Sequence, residues 1–243
     1  MNGLIALVGA GEYLPVMNEV DRYLLAHCGA DGRPARVVCM PTAAGLEGEA
    51  SWQRWNRMGE EHFRSLGAEV HPLPIIDHAS ANNEQYVDVI ANADLIYFSG
   101  GNPGHLYQSM QGSKAWAAAE RAWERGAVYA GCSAGAMILG THMPDIRTAG
   151  FRRLAAFGVM TAHIILPHFD KMPVWAPMML PILRSRLKPG EFAIGIDEDT
   201  ALIGNPGADW HAQGRLQVHI ITKKETRSYA HGEIVPLPLI ANS

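Results

Sequence analysis

The stretch "AVYAGCSAGAM", residues 127–137, runs from an apolar segment through two adjacent nucleophiles bracketed by glycines and into small, helix-compatible residues. Residues 127–133 are apolar at nearly every position, as a parallel strand covered on both faces requires. Gly131–Cys132–Ser133–Ala134–Gly135 fits G-x-S-x-G at the point where that strand gives way to a helix, which is the place of a nucleophile elbow. The central residue of such an elbow sits in a tight, strained turn, so its neighbours two positions away must be nearly free of side chain. Its own side chain projects above the sheet, and the helix that follows turns amides and the positive end of its dipole toward developing negative charge. Spacing chooses between the two nucleophiles. Ser133 is central; Cys132 comes one position early, so the pleat turns it into the sheet's packing as a small buried apolar residue. An ordinary helix N-cap would also favour serine at this position, so the rest of the chain has to decide.

Outward from the elbow, short apolar runs alternate with amphipathic ones. "LIALVG" (4–9), "ARVVCMP" (35–41), "AEVHPLPI" (68–75) and "ADLIYFSGG" (93–101) predict further buried strands, and 15–27, 49–66, 82–91 and 103–125 predict helices. Strand–helix alternation specifies an α/β fold with a doubly wound, mostly parallel sheet and helices on both faces. Beyond about residue 160 the pattern changes. "HIILPH" (163–168) and "FAIGIDEDTALIGN" (192–205) flank a Met-, Pro- and Leu-rich helix near 173–187, and "RLQVHIITKKETRSYAHG" (215–232) predicts antiparallel hairpin strands. No linker, repeat or low-complexity tract interrupts 1–243, so one domain is expected.

Composition limits the partners. The 243 residues are 48% hydrophobic and 18% charged, with a net charge of −4 and no basic block. Neither nucleic acid nor an anionic membrane surface is an expected partner, and a small substrate is. Three widely spaced cysteines, Cys28, Cys39 and Cys132, form no disulfide framework or CxxC zinc site and suit a reducing cytoplasm. The apolar start is broken by glycines and Glu12, unlike a signal peptide, and no run approaches membrane-spanning length. The sequence leaves a homodimer open.

Two further motifs favour catalysis at Ser133. Phe98–Ser99–Gly100–Gly101–Asn102 ends another strand, and ligands of open α/β sheets sit at the carboxyl ends of strands. A Gly-Gly turn there lets a backbone N–H approach a carbonyl, supplying a second oxyanion donor beside the amide of Ala134. Leu166–Pro167–His168–Phe169 puts a histidine at a strand end after the serine, where it can take the Ser133 proton and return it to a leaving amine. The chain has 11 histidines, and His105, His142 and His163 compete for that role. "GIDEDTA" (195–201) offers Asp197, Glu198 and Asp199 in succession, but consecutive residues face opposite ways and cannot converge on one ion. A polar turn bordering the site is expected, with no metal and no cofactor.

Together, Gly9–Ala10–Gly11–Glu12, "FSGGN" (98–102), "GCSAGAM" (131–137), "PHF" (167–169) and "GIDEDTA" resemble peptidase family S51, which includes dipeptidase E and cyanophycinase. The resemblance implies a flavodoxin-like fold similar to that of class I glutamine amidotransferases, with serine where those enzymes place cysteine. It implies Ser133 as nucleophile, His168 as base, the amides of Gly101 and Ala134 as oxyanion hole, and Asn102 close to substrate. Family members orient the histidine with an acid between the elbow helix and the histidine strand. In "THMPDIRTAGFRRLAAFG" (141–158) Asp145 is the only carboxylate, while the family register falls near Phe151. Asp145 is the expected acid, with Asp170 or a Ser–His dyad as alternatives. A preference for N-terminal Asp like that of dipeptidase E would draw on Arg147, Arg152 or Lys171. The mostly apolar segment after His168 argues against the arginine-rich pattern of cyanophycinase-like members. The expected reaction is serine-dependent hydrolysis of a peptide or amide bond in a small peptide. An esterase or amidase using the same residues, or a non-catalytic binding relative, are the rival readings.

Overall fold

A computed structural model describes residues 2–144, 153–171 and 176–238. In chain order its strands and helices are β1 (Ile5–Val8), α1 (Asn18–Ala26), β2 (Arg36–Met40), α2 (Glu49–Ser65), β3 (Glu69–Pro72), α3 (Glu84–Ala91), β4 (Leu95–Phe98), α4 (Pro103–Met110), α5 (Lys114–Glu124) and β5 (Val128–Cys132). There follow α6 (Ala134–Met137), β6 (His142–Pro144), β7 (Arg153–Ala155), β8 (Ile164–Leu166), α7 (Ala176–Arg186), β9 (Phe192–Ile196), β10 (Thr200–Gly204), β11 (His211–Gly214), β12 (Val218–Thr222) and β13 (Thr226–Tyr229).

The main sheet has the order β11-β10-β1-β5-β4-β2-β3. Its five strands from β1 to β3 pair in parallel, and β10 and β11 add an antiparallel edge. The alternation of side chains along each strand divides the core into two layers. Ile5, Leu7, Val38, Met40, Ile96, Phe98 and Tyr129 face α3, α4, α5 and α6. Ala6, Val8, Val37, Cys39, Leu95, Tyr97, Ala130 and Cys132 face α1 and α2. Each large apolar side chain removed from water in this way contributes about 1.5–3 kcal/mol, and β1, β4 and β5 are buried along their whole length.

Two predicted elements differ in detail. The helix expected over 103–125 is two helices, because Gly112 takes φ 68° and Ser113 caps α5 by accepting from the Trp116 amide at 3.1 Å. The segment 192–205 is two strands in different sheets: β9 belongs to a second sheet of order β13-β12-β9-β8, and β10 to the main one. The hairpin expected over 215–232 is β12–β13, antiparallel as predicted. A small pair, β6–β7, had no clear signal in the sequence.

This two-sheet arrangement positions the site. The elbow follows β5 of the main sheet, and His168 follows β8 of the second. The turn at 197–199 is where the chain crosses from one sheet to the other.

Candidate active site

Ser133 has φ 49° and ψ −104°, a conformation that L residues rarely adopt. Its surroundings enforce it. The Ser133 amide donates to the Val8 carbonyl of β1 at 2.9 Å, and the Tyr129 hydroxyl donates to the Gly135 carbonyl at 2.8 Å. The flanking glycines are sterically required, as the motif predicts. A Cβ on Gly131 would lie 2.4 Å from Gly135 backbone atoms, and one on Gly135 would lie 2.8 Å from the Phe98 carbonyl oxygen. The Ser133 side chain makes no capping bond to α6, which removes the N-cap explanation for this serine. α6 itself is a single turn, because the chain reaches Gly140 and then β6 a few residues on. The helix expected to direct a dipole end toward the elbow is thus only four residues long.

His168 stands opposite. Its Nε2 lies 3.2 Å from Ser133 Oγ and its Nδ1 2.9 Å from Glu198 Oε1. With Nδ1–H donating to the carboxylate, Nε2 faces the hydroxyl as an acceptor. The competing histidines are engaged elsewhere. His105 Nε2 bonds the Ile76 carbonyl, His142 Nδ1 bonds Thr141, and His163 is buried against Thr141 and His142. Burial pushes His163 down to about 4, reinforced by the charge of Arg153, so it is neutral at pH 7.

The acid beside the imidazole is thus Glu198, from the turn 197–199. Asp145, the expected acid, lies outside the described residues, as do Phe151, Arg147 and Arg152. Asp170 is one step removed: its Oδ1 accepts from the Glu198 amide at 2.8 Å, so it braces the loop that presents the carboxylate. Lys171 Nζ is 3.9 Å from Asp170. His168 has φ 51°, and the next residue helps hold it there, since a Cβ on Gly195 would meet the Phe169 ring at 2.7 Å. The four described non-glycine residues with positive φ are Tyr13, Ser133, His168 and Asp199. All four lie in or next to the segments that build this site.

The three carboxylates of "GIDEDTA" diverge because the chain turns between β9 and β10, where Asp199 takes φ 55°. Asp197 bonds His219 at 3.0 Å, Glu198 bonds His168, and Asp199 pairs with Arg215 at 2.7 Å. Among the described residues no cluster of His, Cys, Asp and Glu suits a metal ion.

At the end of β4, the Gly100 amide donates to Glu12 Oε1 at 2.8 Å and the Asn102 amide to the Ala43 carbonyl at 2.8 Å. The Gly101 amide between them donates to no described residue, and neither does that of Ala134. Gly101, at φ 140°, approaches the chain so closely that a Cβ would lie 2.5 Å from the Ala43 carbonyl oxygen. The Asn102 side chain caps α4, accepting from the His105 amide at 3.0 Å. Cys132 is fully buried on the α1/α2 face, as its register predicts. It is not merely apolar, because its thiol donates to Glu12 Oε2 at 2.9 Å. Burial, and then the neighbouring Glu12 charge, push that thiol well above its ordinary value, which keeps it protonated.

A strained serine at a strand-to-helix elbow, with a histidine–carboxylate pair facing it, defines the serine-hydrolase class of α/β proteins. Comparison with known proteins narrows the class to a family. The chain matches Peptidase family S51 over residues 5–207. It belongs to that family and is a hydrolase of the serine peptidase kind. Its structure is similar to the crystal structure of a peptidase from an acI-B1 Actinobacterium, with TM-score 0.85, 34% identity and 98% of both chains covered. It shares its fold with a putative peptidase E protein from Listeria monocytogenes, with TM-score 0.63, 18% identity, and 88% of this chain and 100% of that one covered. In sequence it is 24% identical to cyanophycinase from Synechococcus elongatus over 96% of this chain and 72% of that protein.

Proposed function

We propose that this protein hydrolyses a peptide or amide bond in a small peptide, as an exopeptidase or dipeptidase, through an acyl-enzyme on Ser133. Ser133 Oγ attacks the carbonyl while His168 Nε2 takes its proton. Glu198 holds the imidazole tautomer and stabilises the imidazolium, and the Gly101 and Ala134 amides receive the oxyanion. His168 then protonates the leaving amine. Water, deprotonated by the same imidazole, releases the acyl group. Asn102 borders the substrate through its backbone, its side chain being committed to the α4 cap.

The observation that supports this reading most directly is the continuous chain Ser133–His168–Glu198, with contacts of 3.2 and 2.9 Å. A carboxylate beside His168, Glu198, speaks against the non-catalytic reading, which the lack of an orienting acid would favour. Three free, buried cysteines support a reducing cytoplasm as the working compartment, and among the described residues no helix is long and apolar enough to cross a membrane. A dipeptide-library hydrolysis screen tests the proposal. Turnover of at least one dipeptide, abolished in Ser133→Ala, is the expected result. Ester hydrolysis without any peptide turnover would replace it with an esterase.

A further inference from the structure

Glu12 is a buried carboxylate that the chemistry above does not use. It follows β1, is 8% exposed, and has both oxygens engaged by donors from different catalytic strand ends. Oε1 accepts the Gly100 amide at 2.8 Å after β4, and Oε2 accepts the Cys132 thiol at 2.9 Å at the end of β5. Each donor sits immediately before a residue of the proposed site, Gly100 before Gly101 and Cys132 before Ser133. A Cβ on Gly100 would lie 2.9 Å from Glu12 Oε1 and 3.2 Å from Ser133 Cβ, so the carboxylate and the nucleophile flank the same glycine.

We infer that Glu12 is a positioning residue that sets the spacing between the Gly101 amide and the Ser133 elbow by clamping both strand ends with one carboxylate. The inference rests on the serine-hydrolase reading of the site. Gly-Gly turns are conformationally free, and a glycine pair left alone would sample several peptide orientations. Here the Gly100 amide is taken by Glu12 and the Asn102 amide by Ala43, which leaves the Gly101 amide as the unpaired donor between two fixed ones. Oxyanion donors act through preorganisation, so losing the clamp costs rate rather than binding. What matters is the reach of the side chain and its acceptor toward Gly100. Charge is secondary.

The test is the labelling kinetics of the full chain with a fluorophosphonate probe, which reports Ser133 reactivity without a known substrate. Labelling of the wild type, lost in Ser133→Ala, establishes the hydrolase reading independently. Absence of labelling overturns that reading and the inference with it. Given labelling, Glu12→Asp keeps the charge but is one methylene too short to span both donors. Its maximal labelling rate is expected to fall about tenfold to a hundredfold with an unchanged half-saturating probe concentration. Glu12→Gln keeps the reach and an acceptor for Gly100, and its rate should stay within about threefold to tenfold of wild type, one neutral hydrogen bond's worth. A fast Asp variant beside a slow Gln variant would mean that charge, not reach, matters, and would overturn the inference. So would wild-type rates in both. Should Glu12→Asp fail to fold, Cys132→Ala removes one arm of the clamp, and Cys132→Ser restores a donor. Slowing in the first and recovery in the second support the clamp, and equal rates overturn it.

Discussion

Two histidine–carboxylate pairs share one turn of this protein, built on adjacent carboxylates that face opposite ways. Asp197 holds His219 in a largely buried pair, the two side chains 8% and 12% exposed. Every polar atom there is used: Asp197 Oδ2 accepts the Gln217 amide, His219 Nδ1 meets Ser228 Oγ, and the Phe169 ring packs 4.7 Å from the imidazole. Glu198 holds His168 with side chains 31% and 45% exposed, and the far nitrogen of His168 is left to face a serine. The chemistry of the two pairs is the same. In both pairs the second ring nitrogen meets a serine hydroxyl, so the difference lies in the serine and in access to solvent. Ser228 is an ordinary residue of β13, whereas Ser133 is the strained elbow residue of the proposed site.

The strongest way to break this comparison is to remove each histidine. His168→Ala should cut hydrolysis and fluorophosphonate labelling by about 10⁶-fold, as loss of the base does in a serine protease, with the fold intact. His219→Ala should retain labelling but lose about 2–3 kcal/mol in urea denaturation, because it leaves the buried Asp197 without its partner. A folded His219→Ala protein that labels as slowly as His168→Ala would show that the two pairs work as one unit.

Next in size is the acid itself. Glu198→Gln should preserve the fold and lower the rate by about 10²–10⁴, toward the loss seen when the orienting acid of a serine protease is neutralised. Asp170→Asn, which weakens the bond to the Glu198 amide and removes the exposed ion pair with Lys171, should cost about threefold to tenfold. Asp145→Asn should be close to wild type. A large loss in Asp145→Asn with a small one in Glu198→Gln would return the role to the 141–158 segment.

The elbow half of the site was legible because its determinants are local. Two glycines at fixed offsets, an apolar strand before and small residues after are enough to single out Ser133 over Cys132. His168 was legible from the strand end and the Pro167 before it. Glu198 was not, because its partner is thirty residues away in sequence and the contact depends on β8 and β9 pairing in a second sheet. One signal was present: three consecutive carboxylates cannot share an ion, so each must find its own partner, and the turn was already expected to border the site. Acid-bearing elbow enzymes also order these residues differently; here serine, histidine and glutamate follow one another in the chain. The fold was readable from β1 to β5, where β1, β2, β4 and β5 announce themselves by apolar composition. β3, expected to be buried, is the edge strand and has one buried residue, Val70. The fold was less readable where β9 and β10, only three residues apart, enter different sheets.

A third histidine sharpens the comparison from the other side, since it lacks a close carboxylate. His163 Nδ1 is 3.8 Å from Glu191, its Nε2 has no described partner, and the side chain is buried. Burial, with Arg153 second and His142 adding to it, outweighs the opposing pull of Glu191 and lowers this imidazole from its ordinary 6.5 to about 4. The sign follows from proton binding. Above pH 6.5 the histidine is neutral folded and unfolded, and contributes no pH dependence. Between 6.5 and about 4 the unfolded chain binds a proton that the folded one refuses, so stability falls as the pH falls across that window. His163→Asn cannot take up that proton. Its thermal midpoint should therefore drop less than the wild type's between pH 7 and about pH 4.5, while labelling at pH 7 stays near wild type because His163 does not touch Ser133. This is the smallest effect of the set, visible only as a difference between two pH profiles. Parallel profiles would mean that His163 gains a proton as easily in the folded chain as in the unfolded one, and that the contrast between closed and open histidine sites does not extend to this position.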